Sequence, residues 1–156
     1  MGASQTVAEI GTVVVDSREK RPVRFEGSIC KKLQVGDYSL SGYEDCIAVE
    51  RKSFDDLYGC LTLRLKDFQQ QLRALALLRH GCLLVESTPD NILIGHFRCK
   101  LPGRVALMRL LSLARKAGNV PVWFAGRSAG PMISCLLSVA MQSEQKDGNY
   151  GQAQEA

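Results

Sequence analysis

Asp45-Cys-Ile-Ala-Val-Glu-Arg-Lys-Ser-Phe-Asp-Asp-Leu57 is the stretch on which the fold turns. Its first part, Asp45 to Lys52, reads as a β-strand. Ser53 then suits a helix N-cap, with Asp56 three residues on as an approximate capping box. In a strand, side chains at i and i+2 share a face. Glu50 and Lys52 therefore project together, while Val49 and Arg51 point the other way. A charged pair closing an otherwise apolar strand needs a reason. Taken alone, the pair reads as a strand fraying into a solvated loop before the Ser53 helix.

The segment upstream changes that reading. Gly36-Asp37 lies within Leu33-Gln-Val-Gly-Asp-Tyr-Ser-Leu40, thirteen residues before Glu50. This fits a hairpin whose first strand delivers Asp37 beside the end of the second. An aspartate beside a glutamate and a lysine two apart is the arrangement of metal-dependent nucleases. Two carboxylates hold Mg²⁺ through oxygen; the ion polarises a scissile phosphate and lowers the pKa of a bound water. Lys52 would orient that water or offset charge in the transition state. Asp16, closing an earlier strand, is expected to supply a further carboxylate, and Glu19 lies three residues beyond it.

Outward from this centre, strands alternate with helices. Thr12 to Asp16 is a β-branched strand and Pro22 to Glu26 a short second one. A helix is expected from Leu65 to Arg79, where Leu65, Phe68, Leu72 and Leu75 recur at steps of three or four. His80, before a glycine, reads as its C-terminus. Cys82 to Glu86 is a buried-type strand, Pro89 to Ile94 a helical turn, and Pro102 to Lys116 a helix closed by Gly118. Val120 to Phe124 is the last strand and Ser128 to Gln142 the last helix. The pattern predicts an α/β fold: a central mixed sheet flanked by helices. Residues 1–9 read as a flexible lead-in, 10–143 as one domain and 144–156 as a disordered polar tail.

Composition sets outer limits. At 156 residues and 46% hydrophobic, the chain is expected to form one soluble domain with a sizeable core. The apolar runs are too short for a membrane span and the N-terminus lacks a signal peptide, so a cytoplasmic location is expected, at the nucleoid if bacterial. The net charge of +4 is unevenly spread. Residues 1–90 hold twelve Lys/Arg and thirteen Asp/Glu, whereas Asn91 to Ser143 holds seven basic residues and no acid. Such asymmetry points to a polyanion partner. The six cysteines sit mostly in apolar runs and read as core thiols. His96-Phe-Arg-Cys99 is the nearest approach to a zinc pair, and no second pair has ligand spacing.

These residues carry a resemblance. Val13-Val-Val-Asp-Ser-Arg-Glu19, then Gly36-Asp37, then Glu50-Arg-Lys52 with Asp56, resembles the XPF-type nuclease family, whose signature is G-D, a gap, and E-R-K-x-x-x-D. Downstream, Arg64, Phe68 and Gln71 resemble the family's next helix. The resemblance covers about residues 10–143, resting beyond residue 87 on element order. It implies a restriction-endonuclease-like three-layer core that cleaves DNA at flaps, forks or junctions with Mg²⁺, or Mn²⁺ in its place.

Carried over by position, Asp37 and Glu50 would be metal carboxylates, joined by Asp16, and Lys52 the catalytic lysine. Glu19, Arg18, Arg51 and Asp56 would line or support the cleft. Arg18 and Arg64, with Arg98, Lys100, Arg104 and Arg127 of the basic half, would contact DNA. Family members usually carry a helix-hairpin-helix domain after the nuclease. Here the chain stops near that point, so grip is expected from the basic segment, from dimerisation or from a separate DNA-binding protein. A homodimer, or pairing with a nuclease-fold partner, is the expected assembly, with the apolar last helix as a candidate interface. Repair, recombination and mobile-element processing all fit such an enzyme. Two other readings compete: a non-catalytic DNA-binding or assembly module that has kept the fold, and a zinc-stabilised interaction domain.

Overall fold

The chain is described from a computed structural model, which covers residues 11–95 and 101–154, by backbone alone beyond residue 148. Three consecutive valines build β1 (Val13–Asp16), buried along its length. The remaining strands are β2 (Ile29–Lys31), β3 (Tyr38–Leu40), β4 (Ile47–Ser53), β5 (His80–Glu86) and β6 (Val122–Phe124). They form one sheet in the order β2-β1-β3-β4-β5-β6. The β1–β3 and β3–β4 pairs are antiparallel and the rest parallel, so the sheet is mixed.

Strand alternation divides the core in two. On one face Ala48, Leu83 and Val85 pack beneath α1 (Phe54–Leu61), α2 (Leu65–Leu77) and α4 (Gly103–Gly118), through Leu57, Phe68, Leu72 and Leu110. On the other, Val13, Val15, Tyr38, Ile47, Val49 and Leu84 meet Ile133, Leu137 and Ala140 of α5 (Ala129–Gln154). Short α3 (Pro89–Ile94) is capped by Thr88, whose Oγ1 accepts from Asn91 N–H at 3.1 Å. The fold is the expected α/β sandwich. Among the described residues no helix is long and apolar enough to cross a membrane.

Four local expectations are corrected. Residues 22–26 are not a strand; the strand beside β1 is Ile29–Lys31. Val23 and Phe25 are committed to Tyr38 instead: Val23 N–H donates to the Tyr38 hydroxyl at 2.8 Å, and the Phe25 ring stands edge-on to Tyr38 at 5.9 Å. His80 opens β5 rather than ending a helix. α2 stops at Leu77, because the chain turns extended at Leu78 to enter the sheet.

Residues 144–154 of the polar segment expected as a disordered tail continue α5. Glu144 accepts from Arg79 Nη1 at 2.8 Å and lies 2.8 Å from His80 Nε2. This ion pairing comes from residues distant in sequence, so composition could not reveal it. As for the last helix as an interface, Ile133, Leu137 and Ala140 are core, while Val139 is 66% exposed. The lead-in 1–9 lies outside the described residues.

Candidate active site

Alternation along three strands gathers the chemistry on one face. On β4, Ile47 and Val49 pack toward α5, so Glu50 and Lys52 project with Ala48 toward the α1–α2 side. On β1, Val13 and Val15 face α5, leaving Asp16 on the same side as Glu50. Tyr38 faces α5 likewise, which turns Asp37 back toward Glu50. α1 and α2 pack mainly on β4 and β5 rather than on β1 and β3. The result is a cleft of about 740 Å³ lined by Asp16, Arg18, Glu19, Asp37, Glu50, Arg51, Lys52 and Asp56, together with Gln71.

Gly36 sets the depth of Asp37. Its φ of +76° belongs to the left-handed region, and a Cβ there would stand 2.9 Å from Ala48 Cβ. Only glycine lets the chain pass this close over β4. Asp37 N–H then donates to Val49 carbonyl at 2.9 Å, and Arg51 N–H donates to Asp37 Oδ2 at 2.8 Å. Gly36-Asp37 is thus tied to β4 twice, main chain to main chain at Val49 and through the Asp37 carboxylate at Arg51.

The electrostatics follow from this crowding. Burial, then the nearby Glu50 charge, push the Asp37 carboxyl up to about 7. Lys52 Nζ lies 2.8 Å from Glu50 Oε1, and both residues are buried. Burial works against the Lys52 ammonium, but the Glu50 charge and hydrogen bond outweigh it and hold its pKa above the ordinary lysine value. Lys52 is therefore a cation in this site.

Asp16, expected as a metal carboxylate, already has both oxygens engaged. Arg18 Nε donates to Oδ2 at 2.9 Å, and Leu33 N–H donates to Oδ1 at 2.9 Å. Burial would raise its carboxyl, yet these hydrogen bonds prevail and hold it below its ordinary range. Arg51 turns to the opposite face, as strand geometry predicts. It pairs with Glu86, donates to the Arg21 carbonyl at 2.5 Å and reaches the Tyr38 hydroxyl at 3.3 Å.

Asp56 is at the cleft, its N–H capped by Ser53 Oγ at 3.2 Å. Arg64 does not line the cleft; it pairs with Asp56 at 2.9 Å, so its guanidinium is engaged by protein. Arg104 and Arg127 do not line the cleft either, and Arg98 and Lys100, with His96 and Cys99, lie outside the described residues. Among the described residues no group of three or more His, Cys, Asp or Glu is placed to hold a metal ion. Cys60 and Cys82 are buried free thiols, and burial pushes Cys82 up to about 12.

Sequence reasoning missed Glu86, Gln34, Lys20 and Arg21, all of which line the cleft. For Glu86 the signal was present: like Glu50, it is a charge closing an apolar strand. Lys20 and Arg21 gave none, because a basic pair in a loop resembles any solvated turn.

A mixed α/β sheet with acidic and lysine side chains converging at one open end defines a nuclease-like fold. Comparison with known families agrees: the model of the ERCC4 domain matches residues 15–128. The chain belongs to this family, that of the XPF-type nucleases. Among solved structures it is similar to XPF from Aeropyrum pernix, with a TM-score of 0.62 and 22% identity, over 89% of this chain and 69% of that one. A comparison with curated proteins finds no match.

Proposed function

We propose that the chain is a metal-dependent endonuclease that hydrolyses phosphodiester bonds in branched or flapped DNA, in repair, recombination or mobile-element processing. The observation that carries this reading is the convergence of Asp37, Glu50 and Lys52 on one wall of an open cleft.

The donor set suits Mg²⁺, with Mn²⁺ as a substitute. Such ions are held by one or two carboxylates, waters and substrate phosphate rather than by an all-protein cage. Asp37 and Glu50 are two oxygen-donor side chains of this kind, and their mutual repulsion is the field a cation relieves. When bound, the ion would polarise the scissile phosphate and acidify water. Lys52, held as an ammonium, offers positive charge and a donated hydrogen bond to the pentavalent phosphate rather than abstracting a proton. Asp16 fixes Arg18 at the cleft mouth, where its guanidinium can meet phosphate. Glu86, through Arg51, anchors the loop that carries Glu19, because Arg51 grips the Arg21 carbonyl.

DNA is the expected partner, and a homodimer belongs to the same reading. The test is cleavage mapping on labelled flap, fork, duplex and single-stranded DNA with Mg²⁺ or Mn²⁺. Nicking of branched DNA, abolished by Asp37→Asn or Glu50→Gln, supports the proposal. If the wild type leaves every substrate uncut with either ion, the catalytic reading of the isolated chain fails and the non-catalytic module takes its place.

A further inference from the structure

The positive charge at the cleft lies elsewhere than the charge distribution along the sequence suggests. Among the described residues, no cation C-terminal to Lys52 lines the cleft. Its cationic rim comes from the nominally acidic N-terminal half: Arg18, Lys20 and Arg21 beside β1. Lys32 joins them. It sits between Lys31, the register partner of Asp16 on β2, and Leu33, whose N–H donates to Asp16 at 2.9 Å. It also lies two residues before Gln34, another cleft residue.

Arg18 is held in place by Asp16, and Lys31 is paired with Glu44 at 3.1 Å. Lys20, Arg21 and Lys32 are exposed. Among the described residues none of these three side chains forms a salt bridge.

A second feature narrows the ligand. None of the described residues lining the cleft is Phe, Tyr or Trp. Proteins that hold single strands use aromatic platforms on which bases stack, whereas a rim of cations and amides can grip only phosphate and sugar.

We infer that Lys20, Arg21 and Lys32 form a phosphate-binding rim that holds the backbone of a duplex arm of the substrate, leading it to Asp37 and Glu50 from the β1–β2 side. The inference deepens the nuclease reading and rests on it for the choice of DNA. Binding follows the backbone, so it is independent of base sequence and favours duplex-containing forks over single strands.

The test is fluorescence anisotropy with a labelled fork DNA and a labelled oligo-dT strand, with EDTA present so that nothing is cut. Lys20→Gln, Arg21→Gln and Lys32→Gln combined should weaken fork binding about tenfold or more and lower the salt slope by about three units. Arg104→Gln, Arg115→Gln and Arg127→Gln combined should change both far less. The rim assignment is overturned if the second set carries the loss, if neither set does, if oligo-dT binds as tightly as the fork, or if the wild type binds no fork. Cleavage with Mg²⁺ is read separately. A chain that binds through the rim but cuts nothing sinks the catalytic reading alone, and one that cuts with rim variants unaffected sinks the rim alone. Circular dichroism of both variant sets guards against misfolding, to which these exposed positions are insensitive.

Discussion

Lys52 Nζ sits 2.8 Å from Glu50 Oε1, two positions along β4, with both residues buried. The pair exists because a strand returns its side chains to the same face every second residue. Its charge balance also carries a consequence. Lys52→Met leaves Glu50 buried and facing Asp37 without compensation, and should cost about 3 kcal/mol in urea unfolding. The double variant Lys52→Met with Glu50→Gln should recover most of that stability and none of the cleavage. Equal stability of the single variant and wild type would show the pair to be solvated.

The Asp37 carboxyl stands at about 7 against an ordinary value of 3.8. Between those values the folded protein keeps a proton that the unfolded chain has released. This group's contribution is therefore fully present below 3.8 and lost as pH rises through about 7. Asp37→Asn removes the titration and can still accept from Arg51. The stability of Asp37→Asn relative to wild type should thus grow by about 2 kcal/mol between pH 4 and 8, discounted for the open side of the cleft. A pH-independent difference in chemical denaturation would contradict this.

Divalent cations should stabilise the fold near neutral pH. At about a hundred times the Kd, Mg²⁺ or Mn²⁺ adds about 2.7 kcal/mol, visible as a raised Tm. The gain should shrink below pH 6, where protons compete at Asp37, and vanish in Asp37→Asn and Glu50→Gln. A shift retained in both variants would place the ion elsewhere.

Arg51 ties β4 to β5 through Glu86 and to the β1–β2 loop through the Arg21 carbonyl. Arg51→Ala should destabilise by about 3 kcal/mol, since it strands a half-buried carboxylate. Glu86→Gln should cost less and lower kcat more than KM, because it loosens the cleft wall without removing a substrate contact. Unchanged kinetics for Glu86→Gln would count against the brace.

In the second half of α5, Glu144 holds Arg79 and His80. Glu144→Ala should speed hydrogen exchange over residues 143–148 and cost about 1 kcal/mol. Exchange as fast in wild type as in the variant would return this segment to the status of a tail.

Periodicity and side-chain chemistry determined much by themselves. The β-branched and apolar runs specified β1, β4 and β5, the Ser53 cap specified the start of α1, and alternation placed Glu50 with Lys52 and against Arg51. Gly36-Asp37 was legible as well, as the part of a hairpin that delivers Asp37 beside the end of β4. These are short-range consequences of backbone geometry, and they survive any tertiary context.

What only the tertiary structure decided is who meets whom across the chain. It closed both oxygens of Asp16 with Arg18 and Leu33, gave Arg51 its partner Glu86, and moved the second strand from Pro22–Glu26 to Ile29–Lys31. It made Glu144 part of the fold, and it set Arg104 and Arg127 away from the cleft while putting Lys20 and Arg21 on its rim. Each of these outcomes depends on contacts between residues far apart in sequence or on which sheet face a loop crosses. Local pattern holds no record of such energies.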